Sequence, residues 1–246
     1  MTSPPLYYEA VKKAAAERWD KLEDDPDLAG PWHQLFQQVQ SPRHVLSELL
    51  QNADDAGATR ASVTVDEEGF LFGHDGQDFE EDHFRSLCRF AYSNKRHLHT
   101  IGFRGIGFKS VFSLGDIVRL STPSLGVEFH RDRFTEPHWN GTTSGDGRTI
   151  ISVDLKDEGR RKEVEKNLRE WVESAYSFLF FKSLRTLEVE GAVVSWEGER
   201  TGPVPRSAWL GLGGASPEYL VIRSEPGEFP DDAVSEVRDE RGASSD

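Results

Sequence analysis

SPRHVLSELLQNADDAGAT, residues 41–59, is the stretch from which the fold is read. Ser41 is a good helix N-cap, Pro42 suits the first helical position because its missing N–H is not needed there, and Gly57 supplies the stop. At roughly 100° per residue, Leu46, Leu49, Leu50 and Ala53 fall on one stripe that must face a core. Glu48, Asn52 and Asp55, spaced i, i+4 and i+7, fall together on the opposite side, in central turns without cations. That trio has two readings. One is an ordinary acidic solvated face; the other is a set of oxygen donors that holds a hydrated divalent ion and orients a water.

Working outward, LYYEAVKKAAAERWDKL (6–22) predicts a first helix, DDPDLAGP breaks it, and WHQLFQQV (32–39) resumes a short one. After Gly57, ASVTV (61–65) and GFLFGH (69–74) read as strands joined by the turn DEEG, followed by a glycine-containing loop and the helix EEDHFRSLCRFAY (80–92). Phe84, Leu87, Cys88 and Ala91 share helical spacing there, so Cys88 reads as a core residue. Strands are expected at IVRLST (117–122), GVEFH (126–130) and RTIISVDL (148–155), with a Gly/Thr/Ser-rich loop at 140–148. A charged helix from 158 passes into the apolar SAYSFLFF, whose aromatics, with Trp171, Tyr176, Phe178, Phe180 and Phe181, are expected to close the sheet or meet a neighbouring domain. Short strands follow to EYLVIRS, and acid, Pro, Gly and Ser from Ser224 onward predict a disordered tail. Strands joined by hairpin-length turns among helices argue for an α+β sandwich, because the crossovers of repeated βαβ units are largely absent.

Composition narrows the function. A chain of 246 residues with 15 Phe and 6 Trp buries a real core. Its net charge of −14 speaks against broad binding to a nucleic-acid backbone, though not against one local basic site. One cysteine excludes an internal disulfide framework and suits a reducing compartment; with no signal peptide and no apolar run of membrane-spanning length, a cytoplasmic location is expected.

Two further stretches carry chemistry. In IGFRGIGFKSVF (101–112), Gly102, Gly105 and Gly107 precede an apolar helical pattern of Phe108, Val111 and Phe112. Glycines let the backbone bend and a ligand approach closely, and N–H groups freed at a helix start face an anion, so a phosphate chain is a natural guest; a tight turn with no ligand is the alternative. The spacing is not that of a Walker loop, and no strand stands immediately ahead as a dinucleotide fold requires. In HDGQDF (74–79), Asp75 follows an apolar strand and precedes Gly76, so its carboxylate stands at the strand's end as a turn residue or as an acceptor for an exocyclic amine.

Taken in this order, the three stretches resemble the GHKL (Bergerat-fold) superfamily of ATPases, which includes DNA gyrase, the large heat-shock chaperone, histidine kinases and mismatch-repair ATPases. Within it, ELLQNADDAGAT and IGFRGIGFKSVF look most like the sacsin-type, chaperone-like branch. The resemblance covers roughly residues 30–190 and implies a mixed, mostly antiparallel sheet covered on one face by helices, binding ATP and Mg²⁺. It divides the chain into an N-terminal helical extension (1–30), an ATP-binding domain (31–190), a short β extension (191–223) and the acidic tail (224–246). Residue by residue, Glu48 matches the general base acting on the attacking water, and Asn52 the magnesium ligand. Asp55 and Ala56 match positions lining the nucleotide pocket. Asp75, beside Gly76 and Phe79, matches the aspartate that bonds the adenine amino group, and Thr149 the threonine that supports adenine from a late strand. Gly102, Gly105 and Gly107 match glycines that cradle phosphate at the base of a mobile lid, with Ile106 and Phe108 between and beyond them. Arg104, Lys95 and Lys109 stand open between phosphate contacts and surface charges. Asp78 occupies the place where many relatives have a second glycine, which alters the ribose or adenine edge.

The activity so implied is a slow, Mg²⁺-dependent ATPase working as a conformational switch, with a homodimer or a following domain docking on lid closure; residues 192–246 are too few to be that domain. A non-hydrolytic ATP-binding scaffold is the alternative. A histidine kinase fits worst, because the N-terminal helical run has no His and the lid reads GIGFKS. No membrane contact is expected, and the protein client is not specified by these residues.

Overall fold

Alternating apolar residues set the sheet. In the computed structural model, which describes residues 2–25, 42–89, 107–213 and 218–223, β1 (Arg60–Asp66) and β2 (Gly69–His74) form the expected hairpin. Then come β3 (Ile117–Ser121), β4 (Gly126–His130), β5 (Pro137–Trp139) and β6 (Thr149–Val153). The last four are β7 (Thr186–Val189), β8 (Ala192–Thr201), β9 (Ser207–Leu212) and β10 (Tyr219–Ile222). They make one sheet in the order β10-β9-β8-β7-β1-β2-β6-β3-β4-β5. Every described pairing is antiparallel except that of β1 with β7. The architecture is therefore α+β with a mixed, mostly antiparallel sheet, as a GHKL ATP-binding sandwich requires.

One face of this sheet is apolar. Val189, Val63, Phe72, Ile151, Leu120 and Val127 sit side by side across six strands, all buried. Onto that face pack α1 (Tyr8–Asp24), α2 (Val45–Asp55), α3 (Glu81–Leu87) and α4 (Glu158–Glu173). Their inward residues, among them Tyr8, Leu50, Phe84 and Leu168, join the strands in one core cluster. The opposite face carries pairs such as Arg119 with Asp154, whose two hydrogen bonds are 2.8 and 2.9 Å. A sheet with one covered and one wet face shows this alternation because successive side chains point oppositely.

Several details differ from the sequence expectation. The first turn of the opening helix is 3-10, Pro42–His44, and the α-helix proper begins at Val45; Ser41 lies outside the described residues. The run after Gly107 is a 3-10 helix to Ser113 rather than an amphipathic α-helix. It is buried from Lys109 to Ser113, so no solvated face exists to support an amphipathic period. Strand β5 lies in a stretch that gave no strand signal. Helix α1, expected as an extension, belongs to the common core: Tyr8 Oη donates to the Pro137 carbonyl at 3.0 Å and Trp19 Nε1 to Thr135 Oγ1 at 2.9 Å. Strands β8–β10 continue the same sheet through β7. Of the late aromatics, Phe178 is fully buried while Phe180 and Tyr176 are exposed. Cys88 is buried as expected, and burial pushes its thiol pKa up. The expected helix at 32–39, Ala91, Lys95, the loop histidines at 97 and 99, Gly102, Arg104, Gly105, Ile106 and the tail from 224 lie outside the described residues.

Candidate functional site

Helix α2 fixes the first half of the site. Leu46, Leu49, Leu50 and Ala53 are buried, as their stripe demands. The helix ends in a Schellman turn: Gly57, at φ +71°, donates to the Asp54 carbonyl at 3.0 Å, and Ala58 donates to that of Ala53 at 2.9 Å. Glu48 and Asn52 are half-buried on the other side and Asp55 is exposed.

The second half arrives with Gly107. The 3-10 run packs against α2, and a Cβ placed on Gly107 would collide with Glu48 Oε2. Gly107 therefore lies directly against the tip of the Glu48 side chain, which would have to shift to admit a Cβ there. Two segments far apart in sequence thus meet, with the carboxylate of one against the backbone of the other. Ser110 Oγ donates to the Gly107 carbonyl at 2.7 Å, holding the bend closed. Lys109 is not a surface charge: it is buried, its Nζ donates to the Arg89 carbonyl, and burial lowers its pKa to about 8. Phe108 is partly buried, edge-on to Phe129 at 5.9 Å between ring centres.

The third part is the end of β2. Asp75 is exposed, and both of its oxygens are engaged: Oδ1 accepts from the Thr59 and Arg60 N–H groups at 2.7 and 2.8 Å, and Oδ2 from Thr59 Oγ1 at 2.7 Å. These donors lower its pKa against the opposing effect of burial, which is the largest single influence. Gln77 N–H donates to the Ala56 carbonyl at 2.9 Å, pinning the turn to the end of α2. A Cβ on Gly76 would stand 3.0 Å from both Ala56 Cβ and His74 Nδ1, so these three residues meet at one point. Phe79 is partly buried against the core.

Two polar side chains on the covered face fall in one row. His74 pairs with Thr149 across β2 and β6, with Ala61 on its other side. Thr149 is buried and its Oγ1 has no hydrogen-bond partner among the described residues. His74 is buried, and Nδ1 accepts from Gly76 N–H at 3.1 Å. Burial lowers its pKa to about 4, with Asp75 pulling weakly the other way. Sequence reading passed His74 over, although the alternation of Phe70, Phe72 and His74 already assigns it to the apolar face. It also passed over Asp54, a buried carboxylate that accepts from the N–H groups of Lys182, Ser183 and Leu184 at 3.0, 2.6 and 2.9 Å.

The donor set suits a magnesium nucleotide. Glu48 and Asn52 offer one carboxylate and one amide, a match for a hard cation that takes its remaining ligands from phosphate and water. Thr149 offers a buried hydroxyl with bonding capacity in hand. Among the described residues no cluster of three or more His, Cys, Asp or Glu side chains forms a metal cage.

No family model matches the chain. Among curated proteins it is similar to DNA mismatch repair protein MutL of Chlorobium chlorochromatii, 37% identical over 108 residues, 38% of this chain and 17% of the relative. The MutL of Chlorobium limicola is 28% identical over 193 residues, 72% of this chain and 29% of the relative. That of Chlorobium phaeobacteroides is 28% identical over 162 residues, 59% of this chain and 26% of the relative. The chain thus spans less than a third of the length of the relatives it matches. Mismatch-repair ATPases belong to the GHKL superfamily, so these similarities support that superfamily, and the names point to MutL rather than to a sacsin-type protein. Among the described residues no helix is long and apolar enough to cross a membrane.

Proposed function

We propose that this chain is a GHKL-type module that binds ATP with Mg²⁺, hydrolyses it slowly, and uses the nucleotide to switch conformation. The observation that carries this reading is the contact of Glu48 with Gly107, which joins the acidic helix face to the end of the phosphate-cradle segment. In this reading Glu48 orients a water in line with the γ-phosphate and takes its proton on a carboxylate oxygen. Asn52 would give one oxygen to a Mg²⁺ ion, which would supply charge neutralisation for the phosphates. Ala56, Gly76, Phe79 and Thr149 surround the nucleoside. Residues 102–108 are assigned to the phosphates by resemblance, with the buried Lys109 following directly after them. Closure of that segment builds a homodimer or docks a following domain. The relatives' names favour a role in mismatch repair over a chaperone-like one, with the acidic charge leaving DNA contact to other parts of the assembly.

Glu48→Gln keeps size and hydrogen bonding but removes the base. Calorimetric titration with Mg-ATP should give affinity within about twofold of the parent, while phosphate release falls by about two orders of magnitude or more. Equal turnover in both forms would replace hydrolysis by the scaffold reading, in which ATP only sets shape.

A further inference from the structure

The end of α3 carries a further assignment, which rests on the nucleotide reading just given. Where a helix stops, its last carbonyls have no intrahelical donor and gather partial negative charge, so cations are favoured there. At this helix end two cations from distant parts of the chain serve adjacent carbonyls. Arg18 of α1 donates through Nη2 to the Cys88 carbonyl at 2.7 Å, and Lys109 donates through Nζ to the Arg89 carbonyl. Cys88 is itself anchored, its N–H donating to the Phe84 carbonyl at 3.1 Å.

Holding a lysine there opposes its hydration. Lys109 is 5% exposed, and burial lowers its pKa to about 8 against the smaller opposing influence of Cys88. An apolar side chain of the same length would fill the space without desolvating a charge. What the ammonium adds is a directed, charge-assisted bond in a water-poor setting, which fixes distance and angle as packing alone does not.

That bond bears on the site because of its neighbour in the chain. Gly107, two residues before Lys109, stands directly against the tip of Glu48. The run from Gly107 to Ser113 is thus held by α2 at its first residue and by the end of α3 at its third. Arg131 Nη1 secures its far end, donating to the Phe112 carbonyl at 2.7 Å. Arg18 extends these contacts to α1, which Trp19 ties to Thr135. Without the Lys109 bond the run is free to shift along α2, and a displacement of about 1 Å is enough to spoil the aim of a catalytic group.

We propose that Lys109 is a positioning residue for ATP turnover: tied to the end of α3, it sets where Gly107 stands against Glu48, and Arg18 supports it from α1. The effect falls on turnover rather than on affinity, because Glu48 acts on the attacking water and not on the bound nucleotide. The titratable and charged groups around Lys109 are Cys88, whose thiol burial pushes up, Arg89 beside it and Arg18 from α1, with Glu48 of α2 beyond Gly107. Raising the pH through about 8 removes the charge that strengthens the bond.

The test is steady-state phosphate release and calorimetric Mg-ATP titration of the full chain. The parent is compared with Lys109→Met, with Arg18→Gln, and with Lys109→Met made in the Glu48→Gln background. Lys109→Met should lower kcat by about tenfold and leave affinity within about threefold. In the Glu48→Gln background the same change should alter the residual rate by less than about twofold, since the group being positioned is already gone. The parent's kcat should fall as pH rises from about 7 to about 9.5, and Lys109→Met should lack that fall. Arg18→Gln should lower kcat by about threefold, and with the parent's pH profile it serves if Lys109→Met does not fold. An unchanged kcat in Lys109→Met, a loss carried by affinity instead, an equal factor lost in both backgrounds, or a parent rate indifferent to pH over that range overturns the assignment and leaves the ATP site standing. A parent that binds no Mg-ATP overturns the nucleotide reading itself, and one that binds it without turnover overturns the hydrolytic role on which the assignment depends.

Discussion

At the scale of single residues, His74 links the site to stability. Its pKa in the fold is about 4 because burial disfavours the imidazolium, against 6.5 for the free side chain. A depressed folded-state pKa on a base means that protons bind preferentially to the unfolded chain. The stability that neutral His74 allows is complete above about pH 6.5 and is lost as pH falls from there towards 4, on the order of 3 kcal/mol in all. Urea unfolding of the parent and of His74→Gln between pH 4 and 7 measures this: the parent should lose stability more steeply, and equal slopes would assign the loss to other groups. His138 is one such group, since burial and neighbouring His130 lower its pKa as well. Part of this residue-level detail was legible in advance. Glu48 and Thr149 were named from motif position, Glu48 half-buried on α2 and Thr149 buried at the start of β6. Which way His74 and Asp75 turn was harder to read, because neighbours on a strand point to opposite faces. Only the ladder, in which His74 pairs with Ala61 and Thr149, decides which side chain turns inward.

At the scale of elements, helix α2 contains a structural acid as well as candidate functional ones. Asp54 sits four residues after Leu50 on the buried stripe, a position where a carboxylate survives only with partners. It caps three N–H groups at 182–184, tying the end of α2 to the segment that leads into β7. Asp54→Ala should cost about 3 kcal/mol in chemical denaturation, and Asp54→Asn less, because the amide keeps one acceptor. A loss below about 0.5 kcal/mol would show that water replaces the carboxylate there. The placement of Asp54 on the leucine side was readable from periodicity, but its partners lie more than a hundred positions away and no local pattern announces them. The 3-10 geometry of 107–113 was hidden for a related reason. The spacing of Phe108, Val111 and Phe112 fits a helix of either kind, and burial of the intervening Lys109 and Ser110 depends on what α2 brings against them.

At the scale of the whole molecule, the apolar face runs through ten strands, and the last three belong to it. Val194, Leu210 and Leu212 lie in the same core cluster as Phe72 and Leu50. A chain ending at Gly191 would lose those side chains and leave the outer edge of β7 unpaired. Its melting temperature should fall and light scattering after size exclusion should show self-association through that edge. A monomer melting at the parent's temperature would mark β8–β10 as dispensable. The class of the fold was legible because hairpin turns such as DEEG and the 140–148 loop separate short alternating runs. The continuity of the sheet beyond residue 190 was not, since charged residues in β8 dilute its alternation.

The parallel joining of β1 to β7 also orders events in time. Arg60 to Val63 leave the ribosome early and find β2 at once on one flank, but the strand that completes the other flank is made only after four more strands and α4. Nascent chains must therefore carry one open row of peptide groups through most of synthesis, and non-local closure of this kind slows folding. The hairpins from β7 to β10 are local and can form unaided, which makes their docking onto β1 the late step of maturation.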